Sequence, residues 1–313
     1  MIQFKKLKNI NLLLLIIIFF QIFNVNSQVI KDSIAEKQTT EKDSIKKTYF
    51  KFSTSYLSNY VYNGRKDSIS TPYIIPFLGY YNKNGFNASL SAYYLNIPKE
   101  RKFDFFSLDA NYDYEINKQF SVGIIANKTF YSQNSSGLNN NIKGILGLSI
   151  DYDFDFIEMY IEADLLFFKK KDYGLNIDFT HEFEFESKNN KFKITPTLDL
   201  NFSTLNYFGD SNNLGRRKKN AITNTSTKVE NNRFTLLDFE FSIPISFEKN
   251  KFTFFITPTL VKPTNSVYTK DITTVYSNGV GTVTAIKNST PLEEIDLKTS
   301  FFVEFGIFYK FNL

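Results

Sequence analysis

The chain has 313 residues, a formal net charge of +5, no cysteine and no tryptophan, yet 17% of it is aromatic, carried by 35 phenylalanines and 19 tyrosines. That composition is too aromatic for a disordered chain and too polar for a bundle of membrane helices. Without cysteine there are no disulfides and no lipid-modified cysteine, and the scattered positive charges do not form the basic face that nucleic acid requires.

Residues 1–27 have the three parts of a secretory signal: Lys5, Lys6 and Lys8, an apolar run over 10–23, then Val25, Asn26 and Ser27 at the positions a signal peptidase reads. The apolar run is shorter than the roughly 20 residues of a spanning helix, so cleavage after Ser27 is expected rather than an anchor. Residues 28–48 are polar and charged, with KDSI occurring twice, and predict a flexible periplasmic leader.

From residue 49 to 313 the sequence becomes a succession of segments in which apolar and polar residues alternate. Their limits are 49–62, 72–81, 85–96, 103–116, 120–131, 141–153, 157–168, 173–187, 191–208, 233–247, 251–262 and 295–313. Each is about as long as a tilted strand crossing a bilayer, and alternation of period two is the strand signature. In 157–167, Ile157, Met159, Ile161, Ala163, Leu165 and Phe167 oppose Glu158, Tyr160, Glu162 and Asp164. The connections alternate as well. Short turns lie near Asn82, Lys118, Asp155, Lys188 and Asn250, and most of the connections between them, including 209–232 and 262–294, are longer. This pattern predicts an all-β fold, a transmembrane antiparallel up-and-down β-barrel of about twelve strands, with tight periplasmic turns and longer external loops.

The last segment closes such a barrel. Phe301, Val303, Phe305, Ile307, Tyr309 and Phe311 form one face, expected to meet lipid, and Phe302, Glu304, Gly306, Phe308 and Lys310 the other. Glu304, Gly306, Tyr309 and Phe311 resemble the C-terminal signal read by the outer-membrane assembly machinery, with Asn312 and Leu313 added beyond it. Pro76, Pro196, Pro244 and Pro258 fall inside predicted strands, where each removes a ladder donor, and the repeated word ITPTL around two of them suggests local bulges.

On the inward parity the charges are mostly acidic: Asp109, Asp113, Glu115, Asp151, Glu158, Glu162, Asp164, Asp178, Glu182, Glu184, Asp199, Asp238, Glu240 and Glu304, against Lys51, Lys143, Lys193 and Lys310. Glu158, Glu162, Asp164, Asp178, Glu182 and Glu184 are expected to form an acidic patch on the lumen wall. Such a patch either concentrates cations in an open bore or belongs to a salt-bridge network that fills it. Basic residues gather in the external connections at Arg65, Lys66, Lys99, Arg101, Lys102, Lys169, Lys170, Lys171, Arg216, Arg217, Lys218 and Lys219. Lipopolysaccharide phosphates are natural partners for them, as is plain solvent.

The one histidine, His181, shares the lipid-facing parity of Phe179 and Phe183, away from any luminal serine or aspartate, so a Ser-His phospholipase or an Asp-His protease lacks its base. There is no histidine or cysteine cluster for zinc and no phosphate-binding glycine loop. The reading is of a non-enzyme without cofactors. The stretch SNYVYNG at 58–64, followed by Pro72, Pro76, Gly85, Phe86 and Ser91, resembles the first strands of the TorF-type porins of Gram-negative bacteria. Asn63 stands where that family commonly has arginine. The resemblance implies an outer-membrane barrel and names no catalytic residue.

Three functions follow in order. The first is a narrow porin for small cationic or neutral solutes, and the second a non-conducting barrel whose loops bind a partner or lipopolysaccharide. The third is a barrel enzyme. Because the final strand supplies both closure and the assembly signal, deleting residues 301–313 is expected to abolish the heat-modifiable gel migration of a folded barrel. A truncated chain that still migrates as folded would refute the assignment.

Overall fold

The computed structural model describes residues 47–62, 64–66, 70–98, 100–133, 135, 142–167, 171–187, 190–204, 211–214, 221–229, 234–264, 269–277, 280–288 and 298–313. The signal segment, nearly all of the leader, and Lys99, Lys169, Lys170, Arg216, Arg217, Lys218 and Lys219 lie outside the described residues.

The strands are β1 (Tyr49–Leu57), β2 (Val61–Tyr62), β3 (Arg65–Lys66), β4 (Tyr73–Tyr81), β5 (Phe86–Leu95), β6 (Lys102–Asn117) and β7 (Phe120–Tyr131). There follow β8 (Gly144–Asp153), β9 (Glu158–Phe167), β10 (Asp172–Thr180), β11 (Phe183–Ser187), β12 (Asn190–Ile194), β13 (Thr197–Ser203), β14 (Ser211–Leu214) and β15 (Ala221–Val229). The last are β16 (Thr235–Ser242), β17 (Ile245–Lys249), β18 (Phe252–Pro263), β19 (Thr269–Ser277), β20 (Val280–Asn288) and β21 (Ser300–Asn312).

Fifteen of these segments form one antiparallel sheet that closes on itself, because β21 pairs with β1 on one side and with β18 on the other. Three pairs of segments are single strands interrupted once: β10 with β11, β12 with β13, and β16 with β17. Counted so, the ring has twelve strands, in the order β1, β4, β5, β6, β7, β8, β9, β10, β13, β16, β18, β21. One end carries the tight turns and both ends of the barrel chain; the other carries the long connections.

The interruptions are not the bulges expected at the prolines. Thr180 pairs with Thr197 and Phe183 with Ile194, so the register runs unbroken past Pro196. It is also unbroken past Pro244 and Pro258, where Ser242 faces Thr259 and Ile245 faces Ile256. Each proline keeps half of its pair: Pro196, Pro244 and Pro258 accept through their carbonyls from the amides of His181, Thr195 and Ile243. Only the reciprocal bond, which needs the proline's missing N–H, is lost. The register shifts lie elsewhere, opposite Asp104 on β6, near Ile116, and opposite Leu237 on β16.

Two further expectations are corrected. The first strand ends at Leu57, not at residue 62, because Tyr60, Val61 and Tyr62 turn into the barrel and are buried. The connections 209–232 and 262–294 are not plain loops: β14, β15, β19 and β20 form a separate four-stranded antiparallel sheet in which the first connection pairs with the second. Their runs of threonine and asparagine lack an apolar face, which hid them as strands, but threonine is a good strand former.

Alternation sorts the barrel's faces as the sequence implies. Outward-facing Phe52, Ile124, Leu148, Phe254, Phe305 and Phe311 are exposed, whereas inward-facing Lys51, Asn87, Ser149, Asn201 and Glu304 are buried. At the seam, Gly306 lets β1 and β18 approach β21. A Cβ there would stand 2.5 Å from the Thr54 carbonyl oxygen and 2.9 Å from Phe255 Cζ. Gly306→Val is therefore expected to destabilise closure by about 1–3 kcal/mol, read as a lowered temperature for loss of the compact gel form. A variant with unchanged heat resistance would refute the role given to this glycine.

Candidate functional site

The interior of the barrel is the candidate site, and it divides along its length. At the long-connection end the inward positions are apolar. Leu57, Tyr73, Ile75, Tyr93, Leu95, Phe105, Leu166, Leu237, Val261 and Phe302 form a buried cluster with Tyr60, Val61 and Tyr62. The two bulges enlarge it. An extra residue turns two successive side chains inward, Asp104 with Phe105 and Leu237 with Asp238.

The segment between β1 and β4 enters this cluster as a small hairpin, with Val61 paired to Lys66 and Tyr62 to Arg65. Gly64 sits at its turn with φ +79°, a conformation that costs glycine nothing. The neck is tied where the Thr71 amide donates to Asn59 Oδ1 at 2.8 Å. The base is held to β21 where the Ser58 amide donates to the Val303 carbonyl and the Val303 amide to Ser58 Oγ. Tyr60 lies edge-on to Tyr73 and Phe105, with ring centroids 5.5 and 6.0 Å away. Phe105 in turn stacks on Tyr93 at 4.1 Å. A Cβ added to Gly64 would lie 3.1 Å from Asp238 Oδ2 and 3.5 Å from Pro263 Cβ. The hairpin thus touches β6 at one point and β16 at another, and these strands stand on opposite sides of the ring.

Below the cluster the inward residues are polar, and the two walls differ. Lys51 and Lys310 face each other across β1 and β21, and the Lys51 ammonium lies 4.1 Å from the centre of the Phe308 ring. The wall from β6 to β16 carries carboxylates held by neutral donors. Asn127 donates to Asp109 at 2.6 Å, Asn111 to Asp113 at 2.6 Å, Asn176 to Asp178 at 2.8 Å and Tyr160 to Glu162 at 2.9 Å. Asn201 donates to both Asp238 and Glu240.

The residues of the expected acidic patch take two different settings. Glu158, Glu162 and Asp164 on β9 and Asp178 on β10 point inward among Asn176, Tyr160 and Thr180, their cross-strand neighbours. Glu182 and Glu184 belong to the tight-turn end, where Lys193 lies 2.9 Å from Glu182 and 3.1 Å from Glu184, and Lys191 lies 2.9 Å from Glu184. Sequence reading put Asp199 on the inward parity but outside the patch, and the register sets it directly opposite Asp178. Of the assembly-signal residues, Glu304 and Gly306 point inward and Tyr309 and Phe311 outward. Lys102 reaches Glu100 at 2.9 Å. His181 faces outward between the rings of Phe156 and Phe183, with Nδ1 on the Phe156 carbonyl oxygen. Among the described residues no cluster of histidine, cysteine and carboxylates could hold a metal.

No family model matches this chain, and no curated protein is similar to it. Among solved structures, a bacterial polysaccharide outer membrane secretin is similar over 86% of this chain and 100% of its own, at 8% identity and a TM-score of 0.32. The outer membrane channel DcaP of Acinetobacter baumannii is similar over 84% of this chain and 96% of its own, at 9% identity and a TM-score of 0.30. OccK11 of Pseudomonas aeruginosa is similar over 85% and 96%, at 7% identity and a TM-score of 0.27. Likenesses this distant carry no function to the chain.

Inside the apolar cluster, Tyr73 donates to Asp104 Oδ2 at 2.6 Å, and Asp104 Oδ1 has no hydrogen-bond partner among the described residues. Tyr73→Phe is expected to destabilise the barrel by about 1–3 kcal/mol, since the buried carboxyl loses its donor. Tyr73→Phe combined with Asp104→Leu is expected to recover most of that loss in urea unfolding followed in micelles. Additive losses in the pair would refute the coupling.

Proposed function

We propose that this protein is an outer-membrane β-barrel whose bore is closed at its external end, and which presents the sheet formed by its long connections to the outside. The membrane reading is supported by the outward belt. Leu148, Ile124, Phe254 and Phe301 are all more than half exposed on neighbouring or facing strands, and a soluble protein does not leave so broad a ring of large apolar side chains in water. Phenylalanine and tyrosine crowd its tight-turn rim at Phe86, Tyr112, Phe154, Phe185 and Phe311, as in the aromatic girdles of membrane barrels. The expected signal at 1–27 and the C-terminal residues Glu304, Gly306, Tyr309 and Phe311 support export and recognition by the outer-membrane assembly machinery. The tight turns are then periplasmic. The basic external connections would meet lipopolysaccharide phosphates.

The observation that carries the closed reading is the burial of Tyr60, Val61, Tyr73 and Leu95, each at most 1% exposed, across the mouth of the barrel. A wide water-filled porin keeps its interior polar. The steadily open porin implied by the TorF-type resemblance would need that cluster elsewhere, and SNYVYNG, which carries the resemblance, supplies its centre. His181, turned to the outer face, cannot serve a nucleophile in the bore as its base.

Purified refolded protein in a planar bilayer is expected to show no steady conductance at low voltage, although it inserts and is heat-modifiable. A steady ohmic current from the unmodified protein would overturn the closed reading in favour of the porin.

A further inference from the structure

We infer that the outer face of β6, β7 and β8 seats a lipopolysaccharide molecule of the outer leaflet, with a phosphate of its lipid A on Lys128. The inference rests on the membrane reading, in which the long connections are external, and it gives the lipopolysaccharide contact a place on the wall of the barrel itself.

Lys128 is the residue that carries it. Ile124, Ala126, Lys128 and Phe130 share one parity of β7, and Ile124, Lys128 and Phe130 are exposed. Asn127 and Thr129 have the other parity, and Asn127 donates to Asp109 inside the barrel. Lys128 therefore points to lipid. Among the described residues, the charged side chains on the outward parity of the ring strands are Lys128, Lys249 and Lys262, and no carboxylate joins them. Lys249 ends β17 and Lys262 is next to the end of β18, so both stand at a rim. Lys128 lies further in, on a strand that runs on to Tyr131. An unpaired ammonium on the lipid face costs free energy that rises with depth, and among the described residues no carboxylate pairs with this one. Its anion has to come from outside the chain.

The surroundings fit one kind of anion. Lys128 stands between Leu108 on β6 and Gly144 on β8. Gly144 has no side chain to cover the lysine stem: a Cβ there would lie 3.8 Å from Lys128 Cδ. The ammonium turns toward the external end, 5.7 Å from the centre of the Phe130 ring. Phe130 stacks on Phe106 at 4.7 Å, and Phe103 lies 6.1 Å from Phe106. Rings gathered at this level of a membrane barrel mark where acyl chains give way to headgroups. Beneath them Leu108 and Leu146 are exposed and offer acyl chains an apolar wall. A cation just under the headgroup rings, with an apolar face below it, matches a phosphate that carries its acyl chains on the membrane side. Lipid A has that chemistry, and the outer leaflet is where it lies.

The test uses the refolded full chain in mild detergent, with bisphosphorylated lipid A as the probe and native mass spectrometry to count bound lipid. Lys128→Gln is expected to weaken binding about five- to tenfold, and Lys128→Arg to retain it. Removing the lipid's phosphates is expected to cost the unmodified protein as much as Lys128→Gln does. Lys249→Gln, a charge-matched change at the tight-turn end, is expected to leave binding unchanged. Binding that is as tight in Lys128→Gln as in the unmodified protein, or as tight for the dephosphorylated lipid, would overturn the inference, as would an equal loss in Lys249→Gln. Phosphatidylglycerol held as tightly as lipid A would overturn lipopolysaccharide as the occupant. All variants are expected to stay heat-modifiable, so a folded barrel that binds without Lys128 sinks this inference alone, whereas an unmodified chain that never inserts into lipid sinks the membrane reading beneath it.

Discussion

The pairing of β21 on both of its sides decides the rest of the structure. Thirteen residues at the end of the chain bond to β1 along Tyr49 to Leu57 and to β18 along Phe252 to Val261. A sheet with an edge cannot sit in hydrocarbon, because each unpaired amide or carbonyl there costs several kcal/mol. Closure removes the edge and gives every strand an inside and an outside. Gly306 at the seam and the unbroken register past the three prolines serve the same end. A lost bond at Pro196, Pro244 or Pro258 is tolerated because the pair keeps its other bond, whereas a lost register would turn every later side chain to the wrong face.

Given an inside, the side chains there partition by depth. Near the long connections the barrel is lined like the core of a soluble protein, and the hairpin carrying Tyr60, Val61 and Tyr62 fills the space that the ring of strands leaves. Each large side chain fully buried in this way is worth about 1.5–3 kcal/mol, so the closed mouth also stabilises the barrel. Further in, stabilisation passes to amide and hydroxyl donors on carboxylates. Asn127, Asn111, Asn176, Tyr160 and Asn201 donate to the acids of the wall. The acidic and basic walls face each other, and among the described residues Lys191 and Lys193 pair with Glu182, Glu184 and Glu186 at the tight-turn end.

Much of this was legible in the sequence. Strict alternation gave twelve strands and both faces of each, because period two belongs to the backbone and survives any tertiary context. The hairpin that closes the mouth was not legible in the same way. SNYVYNG continues the alternation of the first strand, and only the buried positions of Tyr60, Val61 and Tyr62 show that the chain leaves the wall there. A trace existed: Tyr73, Ile75, Tyr93, Leu95 and Phe105 are apolar on a parity that elsewhere is polar, and all lie at strand ends facing the same side of the membrane. The acidic wall was half legible. Parity placed Glu182 and Glu184 inward with Asp178, but the partnership with Lys193 depends on which residue of β12 stands opposite β11, and register between strands is not written in either one alone. The pairing of the two longest connections was hidden for the same reason.

The central claim is a barrel with lipid outside, a polar interior, and an apolar closure at one end. A nitroxide scan along Met159 to Leu166 in lipid vesicles tests all three parts at once. Labels at Met159, Ile161, Ala163 and Leu165 are predicted to be accessible to oxygen and shielded from a water-soluble nickel chelate, and labels at Tyr160, Glu162 and Asp164 to show the reverse preference. A label at Leu166, inside the apolar cluster, is predicted to be reached poorly by both. Accessibility without a period of two, or a label at Leu166 as open to the chelate as one at Glu162, would contradict the account.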